Sequence, residues 1–436
     1  MKRFFLYLFV AMAALSSCQK EEKSVFDQTP DERINAALAK YQADVLSSPN
    51  GWKALYQTGT GQTFNFYFTF NNQNRVVMYS DFDTSTTHPR ESSYRIKALQ
   101  QPCLIFDTYS YLHMLADPNP YVNGGNAGDG LKADFEFAID TVKGDTIKLK
   151  GRQNGTELDI IKATKDEADL WTNGEWSRAL GLQHISDFLT YFKRTTIGGL
   201  DVDVEYYHYS KQMVFLTYNS SGIRSATTAS FVYSVKSPNG IVFRNPVQIG
   251  TATISSLTDM TWVNGKVNVK INGTTNIAIG EATAPVIVNK SGATSWWSYN
   301  ITHGYWANLG FHSNGVDDAF NVQSIPGFYY MAYLPAYDTI TKTTYWDWMA
   351  YAAVKDNNLI IPSSSSFVPT FLNDGRAIFN TYKPDSANAP LYVKQTTAAL
   401  TEPQGFYFVR VNTTTVDMVG VKDAKTWMRW YWVAGQ

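Results

Sequence analysis

Alternation of apolar and polar residues dominates the chain from about residue 60 onward and predicts β-strands. Phenylalanine occupies every second position from Phe64 to Phe70, Asn71 to Asn74 forms a polar turn, and Arg75 to Ser80 reads as the returning arm. A period of two is typical of a half-buried strand, and polar turns between such segments predict antiparallel hairpins. A later hairpin is predicted from the pairing of Ile147 and Leu149 with Leu158 and Ile160.

Helical spacing stands out in two segments only. Thr29 precedes Pro30 and Glu32, the arrangement of an N-cap, a first-turn proline and a capping-box acid, and apolar residues then recur at helical spacing up to Leu46. A second apolar stripe predicts a helix near Leu180 to Phe192. The apolar positions of this stripe are Ile185, Phe188, Leu189 and Phe192.

Part of the strand pattern repeats with an offset of 137 residues. Tyr94 and Phe231 are separated by this distance, and so are Phe106 and Phe243. The offset predicts that each half of the repeat is a helix followed by a strand meander; chance matching of β-patterns is the alternative.

These patterns predict a mainly β fold with two helices. We expect antiparallel meanders that form lipocalin-like barrels or sandwich units, duplicated if the repeat is structural, followed by a further β-rich region. Pro362 to Ser366 is interpreted as a loop in that last region. The predicted segments are a leader (1–17), a tether (18–28), an N-terminal helix-plus-meander domain (29–170), a second helix-plus-β domain (171–292) and an aromatic-rich β region (293–436).

The first residues predict export and lipidation. Two basic residues precede the apolar run Phe4 to Leu15, which is too short to span a bilayer but suits a signal peptide. The run ends before Cys18 in a segment that resembles the bacterial lipobox, so Cys18 is expected to be diacylated. The acids Glu21 and Glu22 after Lys20 resemble an export signal to the outer face of the outer membrane. The alternatives are an ordinary signal peptide and a merely solvated tether.

Composition narrows the function classes. The chain has 37 Lys and Arg against 38 Asp and Glu, so no basic stripe for nucleic acid is expected. It has two cysteines, which excludes a disulfide framework in the mature chain; Cys103 is interpreted as a small buried apolar residue. Aromatic residues reach 15%, which favours strands and binding surfaces.

Catalytic and metal-binding motifs are missing from the sequence, and we predict neither a cofactor nor a metal. His303 and His312 are the closest histidine pair and lack a matching carboxylate spacing. The alternating acids Asp201, Asp203 and Glu205 suit a metal site, but a solvent-facing acidic stripe is the favoured interpretation. The glycine-rich segment 123–130 is interpreted as a plain turn in preference to a calcium loop.

Aromatic clusters in the last third are the candidate ligand-binding residues. Sugar rings have apolar C–H faces that stack on indole and phenol rings, with amides or acids beside them, and Asn300, Asp347 and Asn308 are suitable neighbours. Core packing of these indoles is the favoured alternative, because strands that alternate Trp-Asp-Trp often bury both rings. The candidate ligand-binding residues are Trp296, Trp297, Trp346 and Trp348.

Several motifs resemble the lipoprotein family called domain of unknown function 4302. They are Glu32-Arg33, Asn50-Gly51-Trp52, Ser92-Ser93-Tyr94-Arg95, Phe106-Asp107-Thr108-Tyr109, Asp117-Pro118, Gly128-Asp129-Gly130, Asp134-Phe135-Glu136-Phe137 and Gly155-Thr156-Glu157-Leu158. The resemblance implies an outer-membrane lipoprotein in the company of starch-utilisation-type, TonB-dependent receptors and their partner lipoproteins. It implies no reaction and no catalytic residues.

Three functions follow as hypotheses. The first is a non-catalytic, surface-anchored lipoprotein that binds glycan or another nutrient for an outer-membrane uptake system. The second is a structural or adhesive lipoprotein that binds a protein partner through an exposed apolar patch. The third is a hydrolase with a convergent pair of acids, which sequence spacing alone does not reveal.

Overall fold

The computed structural model of the chain describes residues 29–235, 240–338 and 343–434. Strands account for 49% of the described residues and helices for 19%, which confirms the predicted mainly β fold. Two closed antiparallel barrels of eight strands each are followed by a nine-stranded sheet. The predicted leader, Cys18 and the tether up to residue 28 lie outside the described residues.

The first described helix, α1 (Pro30–Leu46), begins where the capping residues predict it. The backbone N–H of Glu32 donates to Thr29 Oγ1 at 3.3 Å, and the Glu32 carboxylate accepts from the backbone N–H of Thr29 at 2.8 Å. This capping box satisfies N–H groups that the first turn leaves unpaired. Trp52 Nε1 donates to the carbonyl oxygen of Val45 at 2.8 Å, so the indole holds the end of α1 against the first strand.

The first barrel consists of strands β1 to β8, and pairing of β1 with β8 closes it. Apolar side chains at alternate strand positions fill its interior. The predicted pairing of Ile147 with Ile160 and of Leu149 with Leu158 is confirmed. The strands are β1 (Trp52–Gln57), β2 (Thr63–Phe70), β3 (Arg75–Ser80), β4 (Arg90–Ala98), β5 (Pro102–Phe106), β6 (Glu136–Lys143), β7 (Thr146–Gly151) and β8 (Glu157–Lys162).

A long connection between β5 and β6 carries helices α2 (Tyr111–Ala116) and α3 (Pro120–Asn123). It contains the glycine-rich segment 123–130. The Asn123 side chain is fully buried, and its Nδ2 donates to the carbonyl oxygen of Asp117 at 2.9 Å while its Oδ1 accepts from the backbone N–H of Gly125 at 2.8 Å. Both ends of this amide are therefore committed to the backbone of the connection.

The second barrel consists of strands β9 to β16, and pairing of β9 with β16 closes it. Its apolar interior forms a core of its own, distinct from that of the first barrel. The strands are β9 (Phe192–Ile197), β10 (Leu200–Tyr207), β11 (Gln212–Tyr218), β12 (Arg224–Ser234), β13 (Gly240–Ile249), β14 (Ala252–Val263), β15 (Lys266–Ile271) and β16 (Thr275–Ala282).

The helix predicted near Leu180 to Phe192 is wrong. Ile185 and Phe188 are buried, but they pack from a 3₁₀ segment (Gly181–Asp187) and from the extended chain behind it, and Phe192 opens β9. Three of the four apolar residues in the predicted stripe are therefore buried without forming an α-helix, and the fourth, Leu189, is 38% exposed.

The helices between the barrels lie earlier, at α4 (Lys165–Thr172) and α5 (Glu175–Ala179). Thr164 and Glu167 form a capping box at the start of α4, a signal that the sequence carries. Trp171 and Trp176 of these helices belong to the core of the second barrel. The predicted boundary after residue 170 is a position inside α4.

Residues separated by 137 positions occupy equivalent places in the strand pairing of the two barrels. Tyr94 pairs with Phe106 across β4 and β5, and Phe231 pairs with Phe243 across β12 and β13. The offset of 137 residues no longer holds after the fifth strand of each barrel. The first barrel has the long connection 107–135 at this point, whereas the second barrel has only a tight turn between β13 and β14. The two barrels therefore share topology and register over the first part of each, as a duplication predicts.

The last region is a sheet in which the end strand β17 also pairs with β25, the strand next to the other end strand, β18. Helices α6 (Gly292–His303) and α7 (Leu391–Leu400) contribute to its buried core. The predicted loop at Pro362 to Ser366 is wrong, because these residues continue a long strand. The strands are β17 (Gly304–Asn308), β18 (His312–Ser313), β19 (Phe328–Asp338), β20 (Thr343–Lys355), β21 (Asn358–Phe371), β22 (Ala377–Lys383), β23 (Phe406–Asn412), β24 (Thr415–Gly420) and β25 (Thr426–Ala434).

Buried polar groups join the three units. Between the barrels, Lys211 Nζ donates to the carbonyl oxygen of Asp81 at 2.6 Å and lies 3.3 Å from its carboxylate. Burial lowers the pKa of Lys211, and the Asp81 charge opposes that shift. Next to the second barrel, Tyr191 Oη donates to Asp417 of the last sheet at 2.6 Å, and two nitrogens of Arg429 on the neighbouring strand of that sheet donate to the same carboxylate at 2.8 Å.

Candidate functional site

Strand β20 places two of the predicted tryptophans on the outer face of the last sheet. Trp346 and Trp348 are half-buried, whereas Asp347 between them is fully buried. Asp347 lies opposite Phe367, which belongs to the core, and Trp348 lies opposite Ser366. Since successive side chains of a strand point to opposite faces, the two indoles share the face away from the core.

Hydrogen bonds to Asp347 explain this orientation. Its carboxylate accepts from Tyr333 Oη at 2.7 Å and from Trp297 Nε1 at 2.7 Å. Burial and the neighbouring Asp347 charge raise the pKa of Tyr333, so its hydroxyl stays protonated and able to donate. A buried carboxylate is tolerated only where donors surround it, and these donors lie on the inner side of the sheet.

The two outer indoles border an open groove of about 230 Å³. The rings of Trp346 and Tyr382 are nearly parallel, with centroids 6.0 Å apart and an interplanar angle of 15°. Trp348 extends the aromatic wall along the strand. The remaining lining residues are Ser364, Ser365, Ser366, Lys383, Pro384, Asp385 and Ser386.

The opposite wall of the groove is polar. Ser365 Oγ donates to Asp385 Oδ1 at 3.0 Å and lies 3.1 Å from the Thr397 hydroxyl. Ser366 lies at an irregularity in the register between β21 and β22, where it pairs with Lys383. This irregularity and the chain after β22 bring hydroxyls and one carboxylate next to the aromatic wall.

Trp296 is not part of this groove, and its predicted role as a ligand contact is wrong. It has no exposed surface, and its ring contacts those of Tyr333 and Phe408 at centroid distances of 4.9 and 5.1 Å. Trp297 is half-buried and its nitrogen is committed to Asp347. Core packing thus describes Trp296, whereas the two indoles on β20 are half-buried on the outer face.

The polar neighbours expected beside the tryptophans are also buried. Asn300 is 6% exposed and donates to the carbonyl oxygen of Tyr333 at 3.0 Å, and Asn308 is 1% exposed. Sequence reasoning missed Tyr382 and Asp385, which lie far from β20 along the chain. Only the register of β20, β21 and β22 brings them together, and no local motif signals that register.

The N-terminal part of the chain matches a known protein family. Residues 22–264 match the family described as Domain of unknown function (DUF4302), and this match covers more than half of the chain. The chain belongs to the DUF4302 family. The matched residues include the first barrel and most of the second, so the groove of this DUF4302 protein lies outside them.

Other comparisons add little to the family assignment. No curated protein matches the DUF4302 chain significantly. A solved structure of DNA polymerase III subunit beta from Borrelia burgdorferi in complex with a natural product aligns over 92% of this chain and 97% of that chain. Its sequence identity is 8% and its TM-score is 0.14, which does not indicate a shared fold. Among the described residues of the DUF4302 protein, no helix is long and apolar enough to cross a membrane.

The acidic stripe predicted on β10 is wrong for its central member. Asp203 is 3% exposed, and its carboxylate accepts from Arg194 Nε at 2.8 Å and from Tyr218 Oη at 2.7 Å. Glu205 lies 3.6 Å from Arg224. Asp203 and Glu205 of the DUF4302 protein thus lie beside the positive charges of Arg194 and Arg224. In the described ranges, no group of three or more His, Cys, Asp or Glu residues is placed to hold a metal ion.

Cys103 and His312 of the DUF4302 protein both lie in local packing contacts. Cys103 is 1% exposed, which confirms the predicted buried position, and burial raises the pKa of its thiol. The protonated thiol is a poor nucleophile. His312 Nδ1 lies 2.7 Å from Asp317 Oδ1 and its ring stacks on Trp427, so its contacts are a local hydrogen bond and a ring contact.

Proposed function

We propose that this DUF4302 protein is a non-catalytic lipoprotein that holds glycan at the cell surface for an outer-membrane uptake system. The proposal includes anchoring through diacylated Cys18, an orientation toward the cell exterior, and a TonB-dependent receptor with its lipoproteins as partners. The lipobox-like segment and the acids after it support the location. The groove on the last sheet supports the binding role, and that role requires no cofactor.

The aromatic wall of the groove carries the proposal. The rings of Trp346 and Tyr382 lie in nearly parallel planes with centroids 6.0 Å apart, and Trp348 adds a third ring to the lining of the groove. A pyranose ring has an apolar C–H face and a rim of hydroxyls. Aromatic side chains offer large, rigid apolar area at a low cost in conformational entropy. A sugar therefore stacks on the wall without requiring the protein to rearrange.

The polar wall suits the rim of the same sugar. Ser364 and Ser366 supply hydroxyls that both donate and accept, and Asp385 supplies a carboxylate that accepts from sugar hydroxyls. A hydrogen bond to an ionised acceptor is stronger than one between neutral groups. Few oriented polar groups beside an apolar wall are the usual design of a small-molecule site.

Binding without hydrolysis is proposed because of the acids at the groove. Glycoside hydrolysis commonly uses two carboxyl groups about 5–10 Å apart on either side of the bond that breaks. Asp385 is the single carboxylate among the described residues that line the groove. One carboxylate is enough to hydrogen-bond a sugar, whereas the usual hydrolytic mechanism requires a second carboxyl group.

The test is affinity electrophoresis in gels that contain soluble polysaccharides. The protein is the chain from residue 18 with Cys18→Ser, which keeps every described residue and stays unacylated. We expect one or more polysaccharides to retard the wild-type chain, and the double variant Trp346→Ala, Trp348→Ala to migrate as it does in a plain gel. Circular dichroism checks that the variant is folded.

A matched control comes from the second barrel. Trp262 is 40% exposed and lies outside the groove, so Trp262→Ala removes an exposed indole of the same kind. We expect this variant to be retarded like the wild type. Equal retardation of the double variant and the wild type contradicts a site in the groove, and a folded wild-type chain that no polysaccharide retards contradicts glycan binding.

An exposed aliphatic patch favours a second candidate, a structural or adhesive lipoprotein that binds a protein partner. Val354, Leu359 and Ile361 are 41%, 55% and 44% exposed near the turn between β20 and β21. Exposed apolar patches mark interaction sites. Co-purification of a stoichiometric partner from native membranes, lost on Leu359→Asp, supports this candidate; an unchanged partner after that substitution contradicts it.

A further inference from the structure

A small polar pocket lies where the two barrels meet. Its volume is about 120 Å³, and the turn between β1 and β2 of the first barrel forms one side of it. Residues of β11, β12 and β13 form the other side. The pocket lies within the residues that match the family, and it is separate from the groove on the last sheet.

The charge around this pocket is positive. Among the described residues that line it, Lys211 and Arg244 are cationic and none is acidic. Lys211 is 2% exposed, and the Asp81 carboxylate lies 3.3 Å from its ammonium group, so its charge is already balanced. Arg244 is exposed and forms no ion pair in the described part of the chain. It therefore gives the pocket a positive charge that no described carboxylate balances.

The first barrel holds one nitrogen of the Arg244 guanidinium. Nη2 donates to the carbonyl oxygen of Gly61 at 3.2 Å and to Thr63 Oγ1. Nε and Nη1 have no acceptor among the described residues. A guanidinium is planar and its N–H groups form a fixed fork, so holding Nη2 also limits where the other N–H groups point. Arg244 thus keeps oriented donors for an acceptor from outside the chain.

The turn between β1 and β2 supplies an amide donor. Gln62 Oε1 accepts from Thr58 Oγ1 at 3.0 Å and also from Thr60 Oγ1. These two hydroxyls hold the amide group through its oxygen. Its Nε2 has no hydrogen-bond partner in the residues that the structure describes, and Gln62 lines the pocket. Nε2 is therefore available to an acceptor there.

The backbone of β12 supplies a further donor. The N–H of Phe231 donates to the carbonyl oxygen of Lys211 at 2.9 Å, toward β11. Since successive N–H groups of a strand point to opposite sides, the N–H of Ser230 points toward β13. The pairing of β12 with β13 ends at Phe231 and Phe243, so β13 provides no strand partner for Ser230. This N–H is therefore directed to the side of the pocket on which Arg244 lies.

We propose that this pocket binds a single sulfate or phosphate group. The oxyanion accepts from Nε and Nη1 of Arg244, from Gln62 Nε2 and from the backbone N–H of Ser230. Arginine suits such a group because its fork matches the oxyanion geometry and its charge strengthens each hydrogen bond. A volume of about 120 Å³ is the space of about four water molecules at about 30 Å³ each, which suits one oxyanion group and is small for a whole sugar. The site does not rest on glycan binding in the groove.

Isothermal titration calorimetry at pH 7 and low ionic strength tests the site. The protein is the chain from residue 18 with Cys18→Ser, and the probes are inorganic sulfate and inorganic phosphate, with chloride at equal ionic strength as the control. We expect saturable binding of sulfate or phosphate with a Kd of about 1 mM or below, and no saturable binding of chloride.

Glucose 6-phosphate identifies the source of the group. If it binds more tightly than inorganic phosphate, and Arg244→Gln removes the difference, the group belongs to a larger ligand. If inorganic phosphate binds more tightly, the free ion is the ligand. Both orders support the site. Unlabelled glucose serves as the control for binding elsewhere on the chain.

Two pairs of variants separate the pocket from general charge attraction. Arg244→Gln should weaken oxyanion binding about tenfold or more, whereas Arg410→Gln, which removes the same charge from the last sheet, should change it less than about twofold. Gln62→Glu keeps an acceptor for the two threonines but adds a negative charge to the pocket, and it should also weaken binding about tenfold or more. Gln404→Glu adds the same charge at an exposed position of the last sheet and is its control.

Circular dichroism checks that each variant is folded, and Gln62→Glu decides the test if Arg244→Gln is not. A folded wild-type chain that binds neither sulfate nor phosphate overturns the proposal. So does a folded Arg244→Gln or Gln62→Glu variant with the affinity of the wild type, or an equal loss in either variant and its control.

Discussion

Two three-residue segments with the same alternation face opposite ways in this protein. In Phe64-Asn65-Phe66 of the first barrel both rings point into the core, and Asn65 donates outside it to the Asp81 carboxylate at 2.7 Å. In Trp346-Asp347-Trp348 of the last sheet the acid is inside and both rings are outside. A period of two means that adjacent side chains point to opposite faces of the sheet, but it does not determine which face is buried.

The hydrogen-bond partners of the middle residue determine which face of the sheet it points to. The last sheet provides Tyr333 and Trp297 as donors on its inner face, so Asp347 is satisfied there. The outer indoles are then left to form the groove. The comparison shows that a polar residue with buried donors can turn an aromatic strand outward, and the following predictions test this relation in order of decreasing effect.

The largest effect is expected for Phe64→Ala in the first barrel. Phe64 has no exposed surface and packs on Phe82 with ring centroids 5.6 Å apart. Truncation of a buried phenylalanine removes apolar contacts and leaves a cavity, so we expect a loss of about 3–5 kcal/mol in the free energy of unfolding. Urea unfolding followed by fluorescence measures it. A loss below about 1 kcal/mol contradicts the inward orientation.

A somewhat smaller loss is expected for Asp347→Ala in the last sheet. The substitution leaves the Tyr333 hydroxyl and the Trp297 indole without their acceptor, and we expect a loss of about 2–4 kcal/mol in the free energy of unfolding. Asp347→Asn is the control, because its side-chain oxygen still accepts, and it should lose less. If Asp347→Ala is no worse than Asp356→Ala, which changes an exposed acid, the donors do not fix the strand.

Removal of an outer indole should affect binding more than stability. Trp348 is half-buried on the outer face, so Trp348→Ala should change the free energy of unfolding by about 1 kcal/mol or less. Loss of one stacking ring should weaken affinity for a retained polysaccharide at least tenfold, as measured by calorimetry. Loss of stability comparable to Phe64→Ala, with affinity unchanged, contradicts the outward orientation.

The smallest effect concerns a titrating ring in the first barrel. Burial, together with the Arg90 charge, lowers the pKa of His113, whose ring stacks on Phe135 at 4.2 Å. The unfolded chain takes up this proton near pH 6.5, but the folded protein does so only at lower pH. The stability that the neutral ring contributes is therefore complete above about pH 6.5 and is lost as the pH falls through the folded pKa.

His113→Gln isolates this effect. Gln at this position can still accept from the backbone N–H of Ser110, which donates to His113 Nδ1 at 3.2 Å. Urea unfolding at pH 7.5 and pH 5 should show a smaller acid-induced loss of stability for the variant than for the wild type. The same loss in both proteins would show that His113 does not contribute to the pH dependence.

Local signals in the sequence predicted much of the barrels. The capping box at Thr29, the hairpin of β7 and β8, and the offset between Tyr94 and Phe231 all depend on neighbours or on short turns, and the structure confirms them. The helix predicted at Leu180 to Phe192 failed because burial against the second barrel imposes apolar spacing on a 3₁₀ segment as well.

The groove was only half predictable. Trp346 and Trp348 stood out as aromatic residues, but Tyr382 and Asp385 join them through the register of three strands and an irregularity at Ser366. Trp296 and Trp348 look alike in the sequence, since both lie in aromatic clusters. Their burial differs because α6 inserts Trp296 into the core, which is a property of packing rather than of local pattern.

Hydroxyl-radical footprinting read by mass spectrometry tests the central claim most directly, because it reports the exposure of each indole with and without a glycan. The account predicts that Trp346 and Trp348 are oxidised while Trp296 is protected in the unliganded chain. A polysaccharide that retards the chain should then protect Trp346 and Trp348 and leave Trp262 reactive. Two results would contradict the account. One is protection of Trp346 and Trp348 before any glycan is added, and the other is unchanged oxidation of both in the presence of a polysaccharide that retards the chain.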